Sequence, residues 1–146
     1  MSQENVEIVR RYFETIDSVL ERYWEAPDVP LSESPLVGEV FAQLEPEAEW
    51  NSFIREEPYR GREEIEAGIE DWLEAGENWR VVLDDLTDVG DGQVLAFLRP
   101  SFRGKGSGIT IGAPLYTLVT VRNGKLSRIA DYTERTEALE AAGLSE

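Results

Sequence analysis

The dipeptide Asn123-Gly124 joins two strand-like runs, APLYTLVTVR and KLSRIADYT, and is the strongest short-range hairpin signal a sequence carries. A two-residue turn fixes the pairing, so partners are counted outward from Arg122 opposite Lys125. The count sets Val121 against Leu126, Val119 against Arg128, Leu118 against Ile129, and Tyr116 against Asp131. Side chains alternate faces, so Leu118, Ile129, Tyr116 and Asp131 share one face. A phenol opposite a carboxylate on an otherwise apolar face is either a satisfied cross-strand pair or the polar centre of a ligand pocket.

Composition narrows what such a pocket can do. The chain of 146 residues suits one domain, read as 1–146, with 41% hydrophobic residues to build a core. It has no Cys and no His, which removes thiol chemistry, histidine-based hydrolase schemes and the usual transition-metal ligands. Acid–base work falls to Asp, Glu, Tyr or Lys, and Lys105 and Lys125 sit in or beside turns. No metal or cofactor is expected. A net charge of −16 argues against nucleic acid and anionic membrane surfaces, and reads as solubility. The opening MSQENVEIVRR lacks the pattern of a signal peptide and no run reaches the ~20 apolar residues of a membrane span, so the expected location is cytoplasmic.

Along the chain, helical spacing of Val6, Val9, Phe13, Ile16 and Leu20 predicts a helix over Gln3 to Tyr23. The Pro- and Ser-rich APDVPLSESP follows as a loop or lid. A short helix starts at Pro35, a strand covers Ala48 to Ile54, and an amphipathic helix with Ile65, Ile69, Trp72 and Leu73 on one stripe runs from Arg62 to Ala75. Four strands follow, roughly Trp79 to Val89, Gln93 to Arg103, Ile109 to Val121 and Lys125 to Thr133, then a helix over Thr136 to Ala142. Helices segregated from an antiparallel meander mean α+β, a cone-shaped barrel in which a curved sheet wraps the N-terminal helices around a cavity.

The segments ENVEIVRRYFETID, EAEW with PYRGREEIEAGIEDW, GDGQVLAFLR, RNGKLSRIADY and EALEAAGL resemble a SnoaL-like polyketide-cyclase domain of the nuclear transport factor 2-like superfamily, which includes ketosteroid isomerase. The likeness spans nearly the whole chain, with a longer connection at Ser18 to Pro35. It implies the cystatin-like α+β fold and a small apolar or aromatic ligand. Ketosteroid isomerase works with an Asp base and an oxyanion hole of Tyr and protonated Asp. By resemblance Tyr12 occupies the oxyanion tyrosine position, and Tyr116 stands where the protonated aspartate would be. The isomerase base falls at Ser52, after Asn51, and neither can serve as that base. Cyclases of this type use a cavity aspartate, and Asp131 matches it by position.

The resemblance thus implies Asp131, Tyr116 and Tyr12 as catalytic and Asn51 and Ser52 at the ligand, to which the helix stripe adds Trp72, the hairpin face Leu118 and strand parity Arg99. Plainer roles stand beside these. Tyr12 and the tryptophans Trp24, Trp50, Trp72 and Trp79 also suit core packing, and Arg99 suits a salt bridge to Asp84 across the Asp91-Gly92 turn. With Tyr116 inside, Ile109, Ile111, Leu115, Val119 and Val121 would form an apolar outer face that a second copy covers, giving a homodimer. Three functions fit: a cyclase- or isomerase-like acid–base enzyme, a non-catalytic binding module, or a structural dimerisation domain.

Overall fold

Val9, Phe13, Ile16 and Leu20 recur at helical spacing, and in the computed structural model they lie along α1 (Ser2–Glu25), with Val9, Phe13 and Leu20 buried. The structure describes residues 2–25, 33, 35–52, 55–104 and 110–144, so the expected loop or lid APDVPLSESP, residues 26–35, lies outside them except at 33 and 35. Helix α2 (Pro35–Ala42) begins on a proline, whose fixed φ and missing N–H suit a first helical position. Helix α3 (Gly61–Ala75) carries Ile65, Ile69, Trp72 and Leu73 inward and stops at Gly76.

Among the described residues seven strands follow or interleave: β1 (Leu44–Asn51), β2 (Tyr59–Arg60), β3 (Glu77–Gly90), β4 (Gln93–Arg103), β5 (Thr110–Gly112), β6 (Leu115–Arg122) and β7 (Lys125–Tyr132). They make one open sheet in the order β2-β1-β7-β6-β4-β3, with β5 added beside β4. Every pair is antiparallel except β1 with β7, which corrects the expectation of a wholly antiparallel sheet. Strand β1 starts earlier than the sequence suggests and contains Pro46. The β1–β7 ladder is interrupted between Leu44 and Glu49, where a residue without an N–H donor costs no ladder bond. The long strand expected over Ile109 to Val121 is broken at Ala113-Pro114 for the same chemical reason.

A single residue decides which face of β6 meets which face of β7. Arg122–Lys125 and Val121–Leu126 pair as counted from the turn, but Thr120 then pairs with Arg128, Val119 with Ile129 and Thr117 with Asp131. Ser127 is the extra residue of a β-bulge, and its Oγ donates to the Thr120 carbonyl at 3.2 Å. The bulge therefore sets Asp131 against Thr117, and Tyr116 against Tyr132. Leu115, Val119 and Val121 turn inward and are buried, which reverses that part of the expected outer patch; the side chains of Ile109 and Ile111 lie outside those described. Tyr116 lies on the outside, stacked on Phe97 with ring centroids 5.1 Å apart.

Helix α1 is fastened across the sheet by Asp17, which accepts from Arg80 Nε at 2.9 Å, Arg80 Nη2 at 2.6 Å and the Val81 N–H at 2.9 Å. Burial pushes the Asp17 carboxyl up, but these donors outweigh it and hold the group below its ordinary value. Helix α4 (Arg135–Ala141) packs on β6 and β7, where Leu118, Ala130, Ala138 and Leu139 are buried apart from the main core. Among the described residues, no helix is long and apolar enough to cross a membrane.

Candidate functional site

Between the inner sheet face and helices α1, α2 and α3 lies a cavity of about 120 Å³. Its walls are apolar: Phe13, Ile16 and Leu20 from α1, Val37, Val40 and Phe41 from α2, and Ile65, Ile69 and Leu73 from α3. The sheet contributes Trp50, Trp79, Val81, Leu98, Leu115 and Ile129. Within this lining Asp131 is the one charged side chain, and Tyr12 supplies a phenol.

Asp131 reaches the cavity because β7 alternates after the bulge, placing Leu126, Ile129 and Asp131 on the inner side. Trp50 lies opposite Ile129 on the parallel neighbour β1, so Asp131 is its diagonal neighbour two residues on. Trp50 Nε1–H donates to Asp131 Oδ2 at 2.8 Å, and Thr117 Oγ1–H donates to Asp131 Oδ1 at 2.9 Å. Thr117 is fully buried. Desolvation pushes the Asp131 carboxyl up to about 6, against the two donors, which favour the charged form. Tyr12 is held above its ordinary value, first by burial and second by the nearby Asp131 charge, and so keeps its proton.

One wall is a file of aromatic rings. Trp50 tilts against Tyr59 at 5.1 Å and Trp72 at 6.2 Å, Trp72 meets Trp79 at 4.9 Å, and Trp79 stacks on Phe102 at 4.2 Å. Gly68 lets α3 approach it, since a Cβ there would stand 2.8 Å from the Trp50 ring and 2.9 Å from Tyr59.

Of the residues singled out from the sequence, the structure gathers Tyr12, Trp72 and Asp131 on the cavity. Tyr116 and Leu118 face the other side of β6, because the bulge displaces the count by one. Arg99 is exposed on the outer face and ion-pairs with Asp84, even though bulges in β3 set it opposite Val82. Asn51 Nδ2 donates to Glu49 at 3.0 Å. Ser52 is buried at the end of β1 but is not among the lining residues. Trp50 and Thr117 complete the site and were not singled out. The signal for Thr117 was the odd spacing of Leu126 and Ile129: both are apolar, and a regular strand cannot turn both inward without a bulge between them.

The chain matches the model of the SnoaL-like domain family over residues 36–129, a span that includes Trp50 and Thr117 and stops just before Asp131. No curated protein matches it at a significant level. Among solved structures it is similar to Bal32a from a soil-derived mobile gene cassette, with a TM-score of 0.70, 17% identity and 94% of each chain covered. It is similar to a putative SnoaL-like polyketide cyclase from Jannaschia sp. CCS1, with a TM-score of 0.68, 18% identity, and 99% of this chain and 95% of that one covered. The epoxide hydrolase/cyclase-like enzyme SalBIII, with a role in pyran ring formation in the polyether salinomycin, aligns with a TM-score of 0.68 at 14% identity over 92% of this chain and 93% of its own. With more than half its length matched by the family model, and with this α+β architecture, the chain belongs to the SnoaL-like domain family.

Proposed function

We propose that this chain binds a compact, largely apolar small molecule in the cavity and moves a proton on it through Asp131. The observation that carries the reading is one carboxyl in an apolar wall, fixed by Trp50 and Thr117 and placed to change charge near neutrality. An acid–base group works best when both its forms are populated at the working pH. Ionised Asp131 takes a proton from a carbon beside a ligand carbonyl, and the Tyr12 hydroxyl donates a hydrogen bond to the oxygen that gains charge. Return of the proton to another carbon completes an isomerisation; in a ring closure the deprotonated carbon instead bonds to a second carbonyl carbon of the ligand, whose C=O π pair moves to its oxygen and takes the proton from Asp131. The likeness to a putative polyketide cyclase and to an epoxide hydrolase/cyclase-like enzyme supports this class of chemistry.

Size restricts the ligand. Apolar cavities of ~150 Å³ take up benzene, so one- and two-ring compounds are the natural first probes here, with aromatic polyketides and steroids beside them. In thermal-shift screening a ligand is expected to stabilise both wild type and Asp131→Asn, while only wild type turns it over. If none of these compounds stabilises either protein, the cavity reading fails. Normal turnover by Asp131→Asn would leave binding and remove catalysis. That non-catalytic reading has one observation in its favour: both Asp131 oxygens already accept a hydrogen bond from the protein.

A homodimer through the outer sheet face is inferred on residues other than those first expected. That face carries the Phe97–Tyr116 stack, the Arg99 guanidinium 5.3 Å from the Phe97 ring centre, and Val82, which is 49% exposed. Sedimentation equilibrium should find a dimer in wild type and a monomer in Phe97→Glu. A monomeric wild type at high concentration rules it out.

A further inference from the structure

Asp17, Glu45, Glu49 and Asp84 each face an arginine, respectively Arg80, Arg122, the pair Arg60 and Arg128, and Arg99. Asp131 is held differently. Its partners are two neutral donors, Trp50 and Thr117, and among the described residues no Arg or Lys lines the cavity it faces. With no opposite charge to offset it, desolvation pushes this carboxyl up to about 6. Opposite charges attract far more strongly away from water, so a cation entering the cavity would supply what the fold leaves out. Asp131 keeps part of its surface exposed and lines the cavity, which opens it to an occupant. The rest of the lining, rich in aromatic rings such as Trp50, Trp72 and Phe41, suits one kind of cation. Aromatic rings attract alkylated cations by their electrons and by dispersion. A primary ammonium brings three N–H donors, and these walls offer few acceptors, so some would stay unpaired. A quaternary ammonium has no N–H to orphan and presents only alkyl surface. The net charge of −16 favours approach of a cation and opposes that of an anion.

We propose that the cavity is a binding site for a compact quaternary ammonium, with its positive charge against the Asp131 carboxylate and its alkyl groups against the apolar, ring-rich lining. This rests on the cavity admitting ligands and not on proton transfer. A cation there holds Asp131 ionised and occupies the place of a carbonyl ligand, so the two classes of ligand exclude one another.

Choline and 3,3-dimethylbutan-1-ol share shape and hydroxyl, and differ in a charged nitrogen where the alcohol has a carbon. Calorimetric titration of the full chain at pH 8 in about 0.15 M salt, which screens its acidic surface, compares the two. Wild type is expected to bind choline about 10-fold more tightly than the alcohol. Asp131→Asn should bind the alcohol as wild type does, which shows the cavity intact, and should lose the preference. A second measurement needs no variant. Lowering the pH from 8 to 5 protonates Asp131, while Tyr12, the other titratable group on the cavity, keeps its proton throughout. The preference of wild type should shrink accordingly, and alcohol binding should stay level. Equal affinities in wild type, or tighter binding of the alcohol, overturn the proposal and leave the cavity reading intact. A preference that survives both Asp131→Asn and pH 5 places the cation on the acidic surface and overturns it as well. If neither probe binds, the proposal and the cavity reading for compact ligands both fall.

Discussion

Asp131→Asn is expected to make the protein more stable at pH 8 and to abolish its proton-transfer activity. The folded carboxyl titrates at about 6, against 3.8 for the ordinary value, because burial penalises its charge. The folded state therefore holds this proton more tightly than the unfolded state. Stability from this group is fully present below about pH 3.8, declines as pH rises, and is gone above about pH 6. At ~1.4 kcal/mol per unit, ionised Asp131 costs on the order of 2–3 kcal/mol at pH 8. Asparagine removes that cost. Its Oδ1 accepts from Trp50, and its Nδ2 donates to the Thr117 hydroxyl, which rotates to accept. Denaturant melts should show a gain of roughly 2 kcal/mol at pH 8, about 5 °C in Tm, that vanishes near pH 4. An equal effect at both pH values would show that the carboxyl is not strained by burial. Turnover of any substrate should fall by roughly 10²–10⁴-fold. A residue that costs stability and is needed for chemistry marks a site rather than a scaffold position.

Thr117→Val tests the same carboxyl from the other side. Valine is close to isosteric and the position is fully buried, so the change removes one hydroxyl and little else. At pH 8 the lost bond is to a charged carboxylate, worth roughly 1.5–3 kcal/mol; below about pH 4 it is to a neutral acid, worth roughly 1 kcal/mol. The loss is therefore larger at high pH. With one donor gone, the Asp131 carboxyl moves further up, and the acidic limb of a pH–rate profile should shift upward with it. Carbon-detected NMR titration of Asp131 in both proteins reads this directly. An unchanged titration would show that the Thr117 hydroxyl does not reach the carboxylate in solution.

Much of this site follows from alternation and its failure at one place. The stripe Ile65, Ile69, Trp72 and Leu73 was legible because 3.6-residue spacing is local, and all four face the cavity. The hairpin at Asn123-Gly124 was legible because turn chemistry is local too. Tyr116 was assigned to the cavity because the count assumed an unbroken ladder. Ser127 breaks it, and satisfying the Thr120 carbonyl with its own hydroxyl makes the break inexpensive. The position of Trp50 depended on β1 lying parallel to β7, a pairing between segments some eighty residues apart that no local pattern records.

The chain by itself determined its chemical vocabulary and its elements. Without His or Cys, acid–base work falls to Asp, Glu, Tyr or Lys, and periodicity set the helices and most of the strands. Tertiary structure decided which carboxyl stands in an apolar wall and what holds it there. One bulge chose the face of β6, and one parallel pairing brought an indole to Asp131. The physical reason is range: backbone propensity and side-chain period act within a few residues. Desolvation, and the donors that oppose it, exist only once distant segments have closed around the group.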